Sequence, residues 1–76
     1  MSKSNQAKYI SERMTSYLSE EQCWFKVIKE ADEIVIRHSP SSTTTISLDG
    51  KIMTEVQGRC TLNFNDYGAW LYWMDA

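Results

Sequence analysis

From Glu33 to Phe64 apolar and polar residues alternate, and the run is broken at short intervals by Ser39-Pro40-Ser41-Ser42, Asp49-Gly50 and Gln57-Gly58. A period of two belongs to strands with one buried face, and breaks of this composition are hairpin turns. The pattern therefore predicts an antiparallel meander with strands at 33–38, 43–48, 51–55 and 59–64. A fifth strand is expected at 69–74, after a longer Asn65-Asp66-Tyr67-Gly68 turn. Pro40 rules out a continuous ladder at the first turn.

The hairpin registers follow from which side chains must share a face. A two-residue turn at Asp49-Gly50 would set Ile46 opposite Met53 and Ile52 opposite Ser47, splitting the apolar residues between faces. A three-residue loop, Leu48-Asp49-Gly50 with a left-handed glycine, pairs Ile46 with Ile52 and Thr44 with Thr54 instead. The same loop type at Val56-Gln57-Gly58 pairs Thr54 with Cys60 and Ile52 with Leu62. A one-residue slip turns every side chain over, so the apolar pattern selects the three-residue loops. The core face then holds Ile46, Ile52, Cys60, Leu62 and Phe64. The back face, with Thr43, Thr45, Ser47, Lys51, Met53, Glu55, Arg59, Thr61 and Asn63, is polar almost throughout.

Before Glu33 the period is that of a helix. Ala7, Ile10, Met14, Tyr17 and Leu18 recur at three- and four-residue steps, predicting a helix over 5–18. Leu18-Ser19-Glu20-Glu21-Gln22 then resembles a second helix start, with Ser19 and Gln22 as a capping box and two glutamates in the first turn. Trp24, Val27, Ile28 and Ala31 share one side of that wheel. The competing reading is a strand, because Trp24-Phe25-Lys26-Val27-Ile28 is rich in aromatic and β-branched residues. The helix is the reading taken, and under both Trp24 belongs to the core. The expected class is α+β: one or two N-terminal helices, within 5–31, packed on one face of a four- to five-stranded antiparallel meander sheet spanning 33–74. All 76 residues are expected to form one domain.

Chemistry-bearing constellations are sparse. His38 is the sole histidine, and at a strand end after Arg37 it reads as solvated. Cys23 and Cys60 read as reduced, buried thiols, with no spacing that would hold a metal. The three glycines are scattered at 50, 58 and 68, each at a predicted turn, so no phosphate-cradling loop exists. No catalytic residues, metal or cofactor are expected. No apolar run approaches the roughly 18 residues that cross a bilayer, and none follows the N-terminal lysines as a secretory signal would, so the expectation is a cytoplasmic chain without a membrane partner.

The function expected from this is protein binding. A chain this short covers one side of its sheet, so the predicted last strand, with Trp70, Tyr72 and Met74 on one face and Leu71 and Trp73 on the other, must turn one set outward. Trp and Tyr are enriched at binding hot spots. The candidate contact residues are Trp70, Tyr72, Trp73 and Met74, joined by Arg59 and Glu55 of the back face. The expectation is a non-enzymatic regulator or inhibitor that occupies a partner protein's surface, in the style of phage and mobile-element inhibitors such as anti-CRISPR proteins. Size and composition, rather than any motif, support that comparison. A homodimer through the terminal strand, as a sheet edge, is one form of it. The alternative is a single-stranded nucleic-acid binder, stacking bases beside Arg37, Lys51 and Arg59. A net charge of −2 and Glu55 on the same face argue against it.

Overall fold

The alternating stretch folds as a meander because every short turn returns the chain beside the strand it has left. The computed structural model describes the backbone of residues 3–57 and 60–75. Helix α1 (Lys3–Glu20) is followed by β1 (Lys26–Lys29), β2 (Glu33–Ser39), β3 (Ser42–Ser47), β4 (Ile52–Val56), β5 (Cys60–Phe64) and helix α2 (Tyr67–Asp75). The five strands form one sheet in sequence order, every pair antiparallel. The fold is α+β, with the N-terminal helix packed on a five-stranded meander.

Ala7, Ser11, Met14 and Leu18 form the buried stripe of α1, at steps of four, three and four. They meet Ile34, Ile36, Ile46 and Ile52, the inward set of β2, β3 and β4, and Trp70 of α2 completes the core. The β3–β4 hairpin has the expected register, with Thr44 opposite Thr54 and Ile46 opposite Ile52. Ser47 donates to the Lys51 carbonyl at 2.9 Å, and Gly50 closes the loop at φ 89°, where a side chain would be strained.

The β4–β5 register differs from expectation by two residues. Thr54 faces Leu62 rather than Cys60, and Ile52 faces Phe64 rather than Leu62. A shift of two leaves every face unchanged, so hydrophobic patterning cannot detect it. The observed register sets a β-branched residue against an aromatic, and it brings Phe64 beneath Trp73, ring centroids 5.8 Å apart. Gly58 and Arg59 lie outside the described residues, as does the side chain of Cys60, so the inward position expected of that thiol falls outside them too.

The segment predicted as a second N-terminal helix is the end of α1 and a strand. Gln22 adopts φ 58°, the Cys23 amide donates to the Leu18 carbonyl at 2.8 Å, and the Gln22 amide donates to Ser19 at 3.0 Å. That is a Schellman cap, closing the helix and turning the chain toward β1. Glu20 and Glu21 therefore stand at the unfavourable end of the helix dipole, which is why the stretch imitates a helix start. Trp24, expected in the core, is 59% exposed, and Cys23, expected buried, is an exposed free thiol.

Residues 69–74, predicted as a strand, belong to α2. Asp66 is its cap: Oδ1 accepts from the Ala69 amide at 2.8 Å. A six-residue apolar run fits either state by periodicity, and the cap decides for the helix. Gly68, expected in a turn, lies inside α2. The sheet therefore ends at Phe64, not at residue 74, and its edges are β1 and β5.

Candidate interaction surface

Both helices lie on the same side of the sheet, with α1 against β2 and β3, and α2 against β5 and α1. Nothing among the described residues covers the other side. Its side chains fall in rows set by the registers. One row runs Lys26, Arg37, Thr43, Glu55 and Thr61, and the next runs Ile28, Val35, Thr45, Met53 and Asn63. None of these ten side chains is buried. Ile28 is 38% exposed and Met53 43%, although each strand could have carried a polar residue there. Three strand spacings, about 14 Å, separate Ile28 from Met53, and Val35 and the Thr45 methyl lie between them. The face expected to be polar almost throughout thus has an apolar row, which reaches Ile28 because 26–29 is a strand.

Trp24 stands at one end of this surface, two residues before Lys26. It lines an open cleft of about 490 Å³ with Arg37, His38, Ser39 and Pro40. Arg37 and Pro40 also line the shallow depression that contains Thr43 and Glu55, so cleft and open face are continuous. Exposed tryptophan and arginine beside an apolar row is the composition of a binding hot spot.

The expected contact residues divide. Trp70 is fully buried, its ring edge-on to Tyr17 and His38 and stacked on Tyr67; it holds the core and touches no outside surface. Tyr72 is 81% exposed, while Trp73 and Met74 are half-buried on α2. These lie on the helical layer, apart from Glu55, which is exposed on the open face. Arg59 lies outside the described residues.

His38 is not the solvated residue expected. It occupies a register irregularity between Arg37 and Ser39, and its Nε2 lies 2.8 Å from Thr44 Oγ1. Thr44 Oγ1 also accepts from Trp70 Nε1 at 3.2 Å and lies 2.8 Å from Thr54 Oγ1. A hydroxyl has one proton and two lone pairs. With Trp70 donating, the remaining proton passes either from Thr44 to His38 or from Thr44 to Thr54. Both arrangements satisfy the buried oxygen. Burial lowers the His38 pKa below its ordinary 6.5, and the ring joins the core network through Thr44 while it lines the cleft beside Trp24.

Among the described residues, no three His, Cys, Asp or Glu side chains gather as a metal site would require. No described helix is long and apolar enough to cross a membrane. Two signals would have located the surface from sequence: Asp66 as a helix cap, which frees the sheet of its supposed last strand, and the β-rich Trp24–Ile28 stretch. The chain matches no protein-family model, no curated protein and no solved structure.

Proposed function

We propose that this chain is a small non-enzymatic protein-binding module, a regulator or inhibitor that occupies a partner protein's surface with the open face of its sheet. One observation carries the reading: a row of exposed Ile28, half-buried Val35, Thr45 and exposed Met53 crosses four strands on the side that no element among the described residues covers, and it ends beside Trp24 and Arg37. Contiguous apolar surface of this kind on a small domain marks contact with another macromolecule. The surrounding Lys26, Arg37 and Glu55 supply a charged rim of both signs, which suits a protein better than a phosphate backbone. A small acidic chain that works by contact alone fits the style of inhibitors carried by phage and mobile elements.

The test is capture from the host lysate with immobilised wild-type chain and two variants. Met53→Asp, on the open face, is expected to lose the captured protein. Tyr72→Ala, at a position more exposed than Met53 but on α2, is expected to keep it. Capture that survives Met53→Asp and fails with Tyr72→Ala would move the site to the C-terminal helix. Salt-sensitive binding of a labelled single-stranded oligonucleotide, lost on Trp24→Ala, would favour base stacking instead.

A further inference from the structure

The strands β1 and β5 each have one unpaired edge, and the two edges are not alike. Helix α2 packs on β5, with Trp73 over Phe64. Helix α1 makes its main sheet contacts on β2 and β3, which leaves the approach to β1 open. The directions of the free backbone groups on β1 follow from one hydrogen bond. The Glu30 amide donates to the Glu33 carbonyl at 2.9 Å, so this opposed pair is a bonded one. Bonded and non-bonded pairs alternate along an antiparallel ladder. Ile28 with Val35 and Lys26 with Arg37 are therefore bonded as well. Val27 and Lys29 then aim their N–H and C=O groups away from β2, beyond the edge of the sheet.

We propose that β1 pairs antiparallel with β1 of a second copy, across a two-fold axis centred on Ile28, to make one continuous sheet. With the axis normal to the sheet, opposed residues must share a face. Three registers then bring the free groups together, centred on Val27, on Ile28 and on Lys29, and the last of these sets Lys29 against Lys29 and Ile28 against Glu30 in the second copy. Centring on Val27 sets Lys26 against Ile28, and Glu30 against Trp24, in the second copy. Centring on Ile28 pairs Val27 with Lys29 twice, giving about four backbone hydrogen bonds, and sets Lys26 opposite the second copy's Glu30 on both sides of the axis. It also joins the two apolar rows through Ile28, so one strip runs from Met53 to the second copy's Met53. Lysine on an edge ordinarily keeps strands apart. Here Lys26 repels a foreign edge and meets a carboxylate on its own, which makes the pairing selective. A four-residue strand gives a small contact, in the weak and reversible class. The pairing stands whether or not the open face also binds another protein.

Sedimentation equilibrium on the full chain, from micromolar to millimolar concentration, tests it. The wild type is expected to pass reversibly from monomer to dimer. Glu30→Lys replaces two opposite-charge pairs by like-charge pairs and is expected to raise the dissociation constant about tenfold or more. Lys26→Glu acts the same way, and the double variant Lys26→Glu/Glu30→Lys returns to the wild-type value. Lys29→Pro removes an amide that points away from β2, so it is expected to abolish the dimer while the circular dichroism spectrum is kept. A wild type monomeric to millimolar concentration overturns the proposal, and so does a double variant no tighter than either single one. Should Lys29→Pro disturb folding, the charge exchange still decides.

Discussion

Trp24 and Trp70 each belong to a short run of aromatic and aliphatic residues, Trp24-Phe25-Lys26-Val27-Ile28 and Trp70-Leu71-Tyr72-Trp73-Met74, yet one indole is 59% exposed and the other fully enclosed. Composition does not separate them. Trp24 leads into an edge strand on the side of the sheet where the described residues form no second layer. Trp70 sits on a helix capped by Asp66 and laid against α1 and β5, and its N–H finds Thr44. A tryptophan's burial in so small a domain is decided by whether a second layer lies above it, and two helices cover only one face.

The widest separation between the two sites should appear in stability. Trp70→Ala removes the core's largest side chain and leaves a cavity, at about 3–5 kcal/mol, against the roughly 4–11 kcal/mol that a domain of this size possesses. Urea denaturation should find its midpoint far below that of the wild type. Trp24→Ala should stay within about 0.5 kcal/mol of wild type, as surface substitutions do. Comparable losses at both sites would mean that Trp24 is covered in solution, as by a second copy.

Two left-handed residues among those described, Gly50 and Gln22, separate the covered and the exposed ends of the fold in the same way. Gly50, at φ 89°, lies under α1, where an added Cβ would come 3.3 Å from Gln6 Oε1. Gly50→Ala should cost more than about 1 kcal/mol through strain and crowding together. Gln22, at φ 58° on the surface, already bears that strain, so Gln22→Gly should stabilise by up to about 1 kcal/mol. Thermal melts of both variants check the opposite signs.

A smaller effect belongs to His38, which lies edge-on to Trp70. Half-buried His38 is held neutral, with its pKa lowered by burial. The unfolded chain takes up a proton near the ordinary value of 6.5, before the folded chain does. The stability contributed by neutral His38 is complete above that pH and falls as the pH drops through it toward the lowered native value. Urea midpoints between about pH 5 and 8 should show this slope in the wild type and in Trp24→Ala, and lose it in His38→Gln.

Much of the fold was legible in the residues. The alternation over 33–64 and the glycine-closed loop at 48–50 define the meander and the β3–β4 register, and the stripe from Ala7 to Leu18 defines α1. Three features were not legible. Residues 22–31 and 69–74 are short apolar runs whose periodicity fits both helix and strand, and in each the expected state was the reverse of the one adopted. The β4–β5 pairing has two registers of the same parity. Of the candidate contact residues, Glu55 and Tyr72 are exposed as expected, whereas Trp70 is core.

Local chemistry acts over three or four residues, so the sequence by itself determined the class, the β3–β4 turn and the inward face of each central strand. Which tryptophan is enclosed, how β5 slides along β4, and where an apolar row meets water depended on contacts between residues far apart in the chain. Those contacts exist only once the helices have docked, and the tertiary structure alone decided them.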